Sequence, residues 1–244
     1  MVNPFRRWFG GSRDAHGWSA AAAWAESNGH RFARSRDGSG FVIEPGQGNA
    51  GWRLEWGESQ RHYIGERELR LRGEVGATGD LQMLIATRAL MTLFEQQVFE
   101  DFTESNQTRI DDSTPEEMRW MVLYPKVPRA ELGVLRERFG ALSNYPRAAL
   151  LWLEGPLSQQ LDDSAAWLAG EQPLALVMQR GRLTLRSALA QPALPVLQGA
   201  LALFHGALAA ARKVGEALAQ GAIDGGRPTA WGPPSAMPEA DPRG

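Results

Sequence analysis

The arrangement of apolar residues along the chain predicts a long helix over residues 80–104. Its apolar side chains recur at spacings of three and four and share one broad face, made by Leu81, Leu84, Ile85, Leu90, Met91, Phe94, Val98 and Phe102. No glycine or proline interrupts this stretch, and Thr78 or Asp80 can cap its start. A face of this width is typical of a core helix that packs against a sheet or other helices.

Ahead of this helix, apolar and polar residues alternate as in half-buried antiparallel strands. The predicted strands are residues 31–35, 41–44, 52–56 and 68–72, and a short helix over 18–28 precedes them. Pairing of the last two strands would bring Arg53 and Glu55 into reach of charged neighbours. Their expected cross-strand partners are Glu68 and Arg70. The pattern predicts a small antiparallel sheet with helix 80–104 packed across it.

The middle of the chain carries several helix signals. Thr114, Pro115 and Glu117 match a capping box with proline at the first helical position, which predicts a helix to about residue 124. Further elements are predicted as helices over residues 128–139, 146–153 and 156–168, and as a second β-hairpin over 174–178 and 183–186.

The last predicted element is a long helix over residues 195–220 with a heptad seam of apolar residues, among them Leu201, Phe204 and Leu208. Gly199 and Gly206 would let another helix approach closely. The expected partner is helix 80–104 of the same chain, with the same helix of a second subunit as the alternative. A monomer is therefore favoured over a homodimer. A membrane span is disfavoured because alanine and glycine supply much of the apolar content and flanking anchors are lacking.

Together these elements predict an α+β fold, with a small N-terminal antiparallel sheet, a long core helix, a helical middle, a second β-hairpin and a long C-terminal helix. Four regions are expected. They are an N-terminal arm over residues 1–15, an α+β unit over 16–110, a mostly helical unit with the hairpin over 111–220, and a proline- and glycine-rich disordered tail over 221–244.

Composition narrows the classes of function. The 244 residues carry 26 basic and 28 acidic side chains, so the chain lacks the basic excess typical of proteins that bind nucleic acid through its phosphates. Cysteine is absent, which excludes disulfides, thiol nucleophiles and thiolate metal sites. The dominance of arginine over lysine, together with the alanine and glycine content, suggests a bacterial genome rich in G and C. The N-terminus lacks the apolar core of a signal peptide, so a cytoplasmic location is expected.

Three segments of the chain resemble a conserved bacterial protein of unknown function. They are the block WRLEWGESQRHYIGERELRLR and the later runs RFGALSNYPRAALLWLEGPLSQQL and PLALVMQRGRLTLR. The resemblance covers about half of the chain, and it implies no activity and no site residues.

One candidate site is a cluster of carboxylates. Asp111, Asp112, Glu116 and Glu117 form the densest acidic group of the chain, and oxygen ligands of this kind suit Mg²⁺ or Ca²⁺. Their spacing matches no EF-hand loop, and acidic residues at a helix start are explained by the helix dipole alone. We therefore expect them to cap the helix, and we expect no metal and no cofactor.

A second candidate site lies on the loop between strands 52–56 and 68–72. Arg61, His62 and Tyr63 could support acid–base chemistry, because His62 can titrate near neutral pH. No nucleophile elbow, zinc-protease motif or phosphate-binding loop accompanies them. We expect His62 to be solvated or hydrogen-bonded.

Other features of the sequence are expected to be structural. Residues 46–51 have the spacing G-x-G-x-x-G, but a predicted strand follows them, whereas a dinucleotide site requires a helix. Trp52 and Trp56 could stack on a sugar or base, yet two aromatic residues on one strand face are more typical of a core. His205 is expected to be partly buried and not to be a ligand.

The absence of a recognised catalytic constellation favours a non-enzymatic binding or scaffold protein that acts through contacts with another protein. The alternative is an enzyme or a small-ligand-binding protein with a pocket beside the N-terminal sheet, using Arg61, His62 and Tyr63. Side chains gathered in a deep pocket would favour this alternative.

Overall fold

The computed structural model describes residues 18–46, 51–76, 80–104, 114–168, 170 and 172–221, with the side chains of 101–104 left aside. Its strands are β1 His30–Arg34, β2 Phe41–Pro45, β3 Trp52–Glu58, β4 Arg67–Glu74, β5 Met83–Thr87, β6 Phe139–Ser143, β7 Leu174–Gln179 and β8 Arg182–Ala188. Its helices are α1 Ser19–Ser27, α2 Arg88–Glu104, α3 Glu116–Leu123, α4 Pro146–Leu153, α5 Pro156–Asp163 and α6 Leu194–Ala219, with 3-10 helices over Arg129–Glu137 and Ser164–Ala166. The predicted arm over 1–15 and nearly all of the predicted tail lie outside the described residues.

The strands form one antiparallel sheet of eight strands in the order β1-β2-β3-β4-β8-β7-β5-β6. The predicted pairing of β3 with β4 is confirmed, with Glu55 opposite Arg70. Strand β8 of the second hairpin pairs along the other side of β4. The two sequence regions predicted as separate units thus contribute strands to the same sheet, and the α+β fold class is confirmed.

The start of the predicted helix 80–104 is a strand, and this part of the prediction is wrong. Residues Met83–Thr87 form β5, and α2 begins only at Arg88. All five residues of β5 are buried, because the strand lies inside the sheet and both of its faces are covered. A short apolar run of this kind fits a buried strand as well as a helix, so spacing alone cannot distinguish them.

The predicted helix 128–139 is also replaced by two elements. A 3-10 helix spans Arg129–Glu137, with a positive φ of 54° at Gly133 that interrupts regular helical geometry. Phe139 then begins β6 at one end of the sheet, where all five residues are buried. Burial on both sides again explains a strand that shows no alternation.

Helices cover the sheet unequally. One face carries the larger core, to which residues of α1, α4, α5 and α6 contribute. On the opposite face, α2 and α3 pack over β5 and β6 and enclose a smaller core around Phe94 and Trp120. The predicted packing of helix 80–104 across the N-terminal strands is therefore wrong, because α2 lies over the C-terminal half of the sheet.

Helix α6 packs inside its own chain, with Leu201, Phe204 and Leu208 buried. Its neighbours are α4, α5, β4 and β8. The predicted pairing with helix 80–104 is wrong, since α2 contributes to the core on the opposite face of the sheet. By length and composition α6 could cross a membrane, and 44% of its most apolar window is buried inside the protein.

Candidate functional site

The face of the sheet that carries α2 and α3 changes character along the strand order. On β5, β6 and β7 its side chains are apolar, such as Leu84, Leu142 and Val177. On β1 to β4 and β8, where side chains alternate between the two faces, most residues on this side are charged. We call this half the charged face, made by Arg31, Glu44, Arg53, Glu55, Glu68, Arg70, Arg72, Glu74, Arg182 and Arg186.

Glu55 is the centre of the charged face. Its carboxylate accepts hydrogen bonds from Arg53, from Arg70 with the Nε at 2.8 Å, and from Arg72 with the Nη2 at 2.8 Å. Desolvation opposes the charged form of Glu55, but the bonds from Arg70 and Arg53 outweigh it and lower the pKa of Glu55 to about 2. Glu55 is therefore ionised at all ordinary pH values.

Neighbouring carboxylates offset the repulsion between arginines that lie opposite one another. Arg53 lies opposite Arg72, and Arg70 lies opposite Arg186, which alone would be unfavourable. Glu55 bonds to Arg53, Arg70 and Arg72, as described above. Arg186 instead donates to Glu68, which is almost fully buried. The predicted bond between Glu55 and Arg70 is thus present.

The outer end of the network is formed by Glu44. It accepts hydrogen bonds from Arg31 and, at 2.6 Å, from Nη1 of Arg53. The bond from Arg31 is the largest influence on Glu44, and the net pKa of this carboxyl is lowered despite partial desolvation. Arg53 therefore pairs with Glu44 and Glu55 rather than with the predicted partner Glu68.

A cleft of about 460 Å³ lies at one end of the charged face, where β2 and β4 end and β3 and β8 begin. It is lined by Glu44, Pro45, Gly51, Trp52, Arg53, Arg72, Gly73, Glu74 and Arg182. The side chains of Arg53, Arg72 and Arg182 are 43%, 37% and 55% exposed. Because the charged face holds six arginines and only four glutamates, it is positive, although the whole chain has a net charge of −2.

The predicted residues Arg61 and Tyr63 meet Glu117 beside this face. Nε of Arg61 donates to Oε1 of Glu117 at 2.7 Å, and the Tyr63 hydroxyl donates to the same oxygen. Burial raises the pKa of Tyr63, and the nearby Glu117 raises it further. Burial alone would raise the pKa of Glu117 as well, but the bonds from Arg61 and Tyr63 lower it. The carboxylate stays charged and ties α3 to the β3–β4 loop.

His62 does not join this cluster. Its side chain is exposed, and its ring lies edge-on to Tyr63 with 5.7 Å between ring centroids. The structure thus brings together two of the three residues predicted for acid–base chemistry and adds Glu117 from the predicted acidic cluster. The sequence predicts both candidate sites, but Glu117 contacts Arg61 and Tyr63 only because α3 packs against the β3–β4 loop.

The remaining acidic candidates are separated from Glu117. Glu116 pairs with Nη2 of Arg180 at 2.8 Å, while Asp111 and Asp112 lie outside the described residues. The predicted capping box at Thr114 is wrong, because α3 has no side-chain cap and the carboxylate of Glu117 is bound to Arg61 and Tyr63. Within the described residues there is no group of three His, Asp or Glu side chains placed to hold a metal ion.

The other features noted in the sequence take structural positions. Trp52 and Trp56 are buried, and the indole Nε1 of Trp56 donates to the carbonyl of Leu189 at 2.8 Å. The ring of His205 lies 5.4 Å from that of Trp52, and partial burial, followed by the nearby His30, lowers the pKa of His205. The described part of the glycine-rich run leads directly into β3, as expected.

Sequence reasoning missed the contributions of Glu44, Arg182 and Arg186 to the charged face. The signal was the alternation of apolar and polar residues between Arg182 and Arg186, which matches that of β3 and β4. Nothing local to either segment indicates that β8 pairs with β4, so these charges could not be assigned to one surface. Comparison with protein-family models, curated proteins and solved structures finds no match for this chain.

Proposed function

We propose that the protein is a non-enzymatic binding protein that recognises an acidic partner protein through the charged face. The observation that carries this proposal is the excess of guanidinium groups around the open cleft. Arg53, Arg72 and Arg182 each keep a substantial part of the side chain in contact with solvent. Arginine at such positions can bind carboxylates in a bidentate manner without leaving its internal partner.

The internal ion pairs favour recognition over catalysis. Each carboxylate on the cleft is already bound to arginine, with Glu44 held by Arg53 and Glu74 held by Arg182 at 3.0 Å. These ion pairs orient the guanidinium groups before a partner arrives. A surface ordered in advance loses less conformational entropy on binding.

The dimensions of the face favour a protein partner over a small molecule. Neighbouring strands are about 4.8 Å apart, so the five strands from β1 to β8 span about 19 Å. Exposed arginines occur on four of these strands, and a single small ligand would contact only part of the row. An acidic polypeptide can follow it, and complementary charge would accelerate the encounter and help to select the partner.

The proposal can be tested with a fluorescent peptide of about ten glutamates, whose binding is measured by anisotropy at about 0.05 and 0.2 M salt. We expect binding that weakens as salt rises, because exposed charges are screened. Replacing two arginines in the variant Arg53→Gln/Arg72→Gln should weaken binding about tenfold.

The matched control is Arg129→Gln/Arg136→Gln, since both arginines are exposed and lie on the 3-10 helix Arg129–Glu137, away from the charged face. This control should bind within about twofold of the wild type. Binding that is absent, or that is equally affected by the control and by Arg53→Gln/Arg72→Gln, would contradict the proposal.

A further inference from the structure

We propose that the outer edge of β1 binds an extended acidic segment of the partner, which adds to the sheet as one more strand. This inference rests on the proposed function, because it states how an acidic partner is positioned beside the charged face. Strand addition supplies affinity through main-chain hydrogen bonds, while alternate side chains supply specificity.

The hydrogen bonds of β1 leave main-chain groups on its outer side. The N–H groups of Gly46 and Ser35 donate across the β1–β2 pair at its two ends, at 3.0 and 2.9 Å. Because residues of an antiparallel strand alternate between facing their partner strand and facing away, the odd-numbered residues of β1 bond to β2. The amide and carbonyl groups of His30 and Phe32 therefore point outward, and in the described part of the chain no strand pairs with this side.

The opposite edge of the sheet, at β6, is covered by another segment of the chain. There the N–H of Val127 donates to the carbonyl of Ala141 on β6 at 2.8 Å, and Lys126 forms an isolated bridge to Leu142. The chain thus covers the edge at β6 with its own backbone. An open edge favours pairing with another extended chain, and β1 is the end of the sheet where the described residues leave this possibility.

The side chains of β1 define the segment that would fit. Arg31 belongs to the charged face and is 72% exposed, so it favours an acidic neighbour. Phe32 lies on the other face, partly buried, and stacks on Phe41 with 5.1 Å between centroids. A strand added to β1 should therefore alternate, with acidic side chains beside Arg31 and apolar side chains beside Phe32.

A second copy of β1 does not meet these requirements. Antiparallel pairing of two copies about Phe32 would place His30 opposite Arg34 and Arg31 opposite Ala33. The strand His30–Arg34 contains no acidic residue, so a second copy would add no carboxylate of its own strand beside Arg31. The charge of the edge favours an acidic segment of a different protein.

The experiment uses two peptides of the same composition. One is acetyl-Glu-Val-Glu-Val-Glu-Val-Glu-amide, and the other carries its four glutamates and three valines in separate blocks. We expect the alternating peptide to bind at least about tenfold more tightly. We also expect saturating alternating peptide to slow hydrogen exchange at the amides of His30 and Phe32, because both become hydrogen-bonded.

Two substitutions separate main-chain pairing from side-chain contact. Phe32→Pro removes an outward N–H and leaves the bonds to β2 intact, which edge strands tolerate. Phe32→Ala keeps this N–H and serves as the control. The proline variant should bind the alternating peptide about tenfold more weakly than the alanine variant. If the proline variant does not fold, the exchange of the wild-type amides decides.

Equal affinity for the two peptides, or unchanged exchange at His30 and Phe32, would overturn strand addition. In that case, acidic peptides that still bind and still lose affinity in Arg53→Gln/Arg72→Gln would leave the proposed function standing. Failure of every acidic peptide to bind would overturn both proposals.

Discussion

Two glycines of α6 provide a prediction in which the same substitution has opposite effects. Glycine inside a helix is about 1 kcal/mol less favourable than alanine, so Gly→Ala should stabilise α6 where space permits. At Gly199 space is lacking, since a Cβ would lie 2.5 Å from Cδ1 and 2.8 Å from Cγ of Trp167. At Gly206 a Cβ would instead overlap the amide end of the Gln160 side chain.

The difference lies in what must move. Cγ and Cδ1 belong to a rigid indole that packs against the main core, so relief at Gly199 requires the whole ring of Trp167 to shift. Overpacking of this kind costs about 1–3 kcal/mol, which exceeds the helix gain. Oε1 of Gln160 is buried without a hydrogen-bond partner, so turning this amide away breaks no bond of that oxygen.

We therefore expect Gly199→Ala to lower the free energy of unfolding by about 1 kcal/mol and Gly206→Ala to raise it by up to about 1 kcal/mol. For a chain of this length each change corresponds to about 2–4 °C in the thermal midpoint. Urea unfolding followed by far-ultraviolet circular dichroism measures both effects. In a Trp167→Leu background, Gly199→Ala should no longer destabilise, because the clash is removed. The packing argument is refuted if both substitutions change stability in the same direction, or if the Trp167→Leu background leaves the effect of Gly199→Ala unchanged.

Two further predictions concern the charged face and α6. The pKa of Glu55 is about 2 in the folded protein against a usual value of 4.5, so Glu55 contributes stability above about pH 5 that is lost as the pH falls towards 2. The contribution to the free energy of unfolding is about 1–3 kcal/mol. In Glu55→Gln, the free energy of unfolding should therefore fall less steeply between about pH 5 and pH 2. The same slope in the variant and in the wild type would contradict this role of Glu55. Leu201→Ala should lower the unfolding free energy by about 2–5 kcal/mol through loss of burial and the cavity left behind. The thermal midpoints of this variant and of the wild type should not depend on protein concentration. If the wild type is instead a dimer that Leu201→Ala converts into a folded monomer, the apolar seam of α6 lies between subunits.

The sequence alone determined those elements whose pattern is complete within a short segment. β3 and β4 alternate because one face meets the core and the other meets charged neighbours, so their pairing and the bond between Glu55 and Arg70 could be predicted. Both ends of α6 follow from its apolar periodicity and from Pro195 in its first turn. The α+β class follows from the sum of such local signals.

The tertiary structure alone decided the elements that are buried on both sides. β5 and β6 show no alternation, because helices cover both faces of the sheet at that end. The apolar run of β5 therefore falls within the predicted helix 80–104, and β6 is not predicted, since the predicted helix 128–139 ends at its first residue. A continuous apolar run indicates that a segment is buried, but it does not show whether the backbone forms a helix or a strand.

The charged face could not be predicted from the sequence either, because its residues come from segments that are distant in the chain. Glu68 and Arg186 are far apart in the chain, and they meet only because β8 pairs with β4. In the same way, Glu117 joins Arg61 and Tyr63 only because α3 packs beside the β3–β4 loop. Long-range pairings are selected by the packing of the entire core, so no single segment carries the information that determines them.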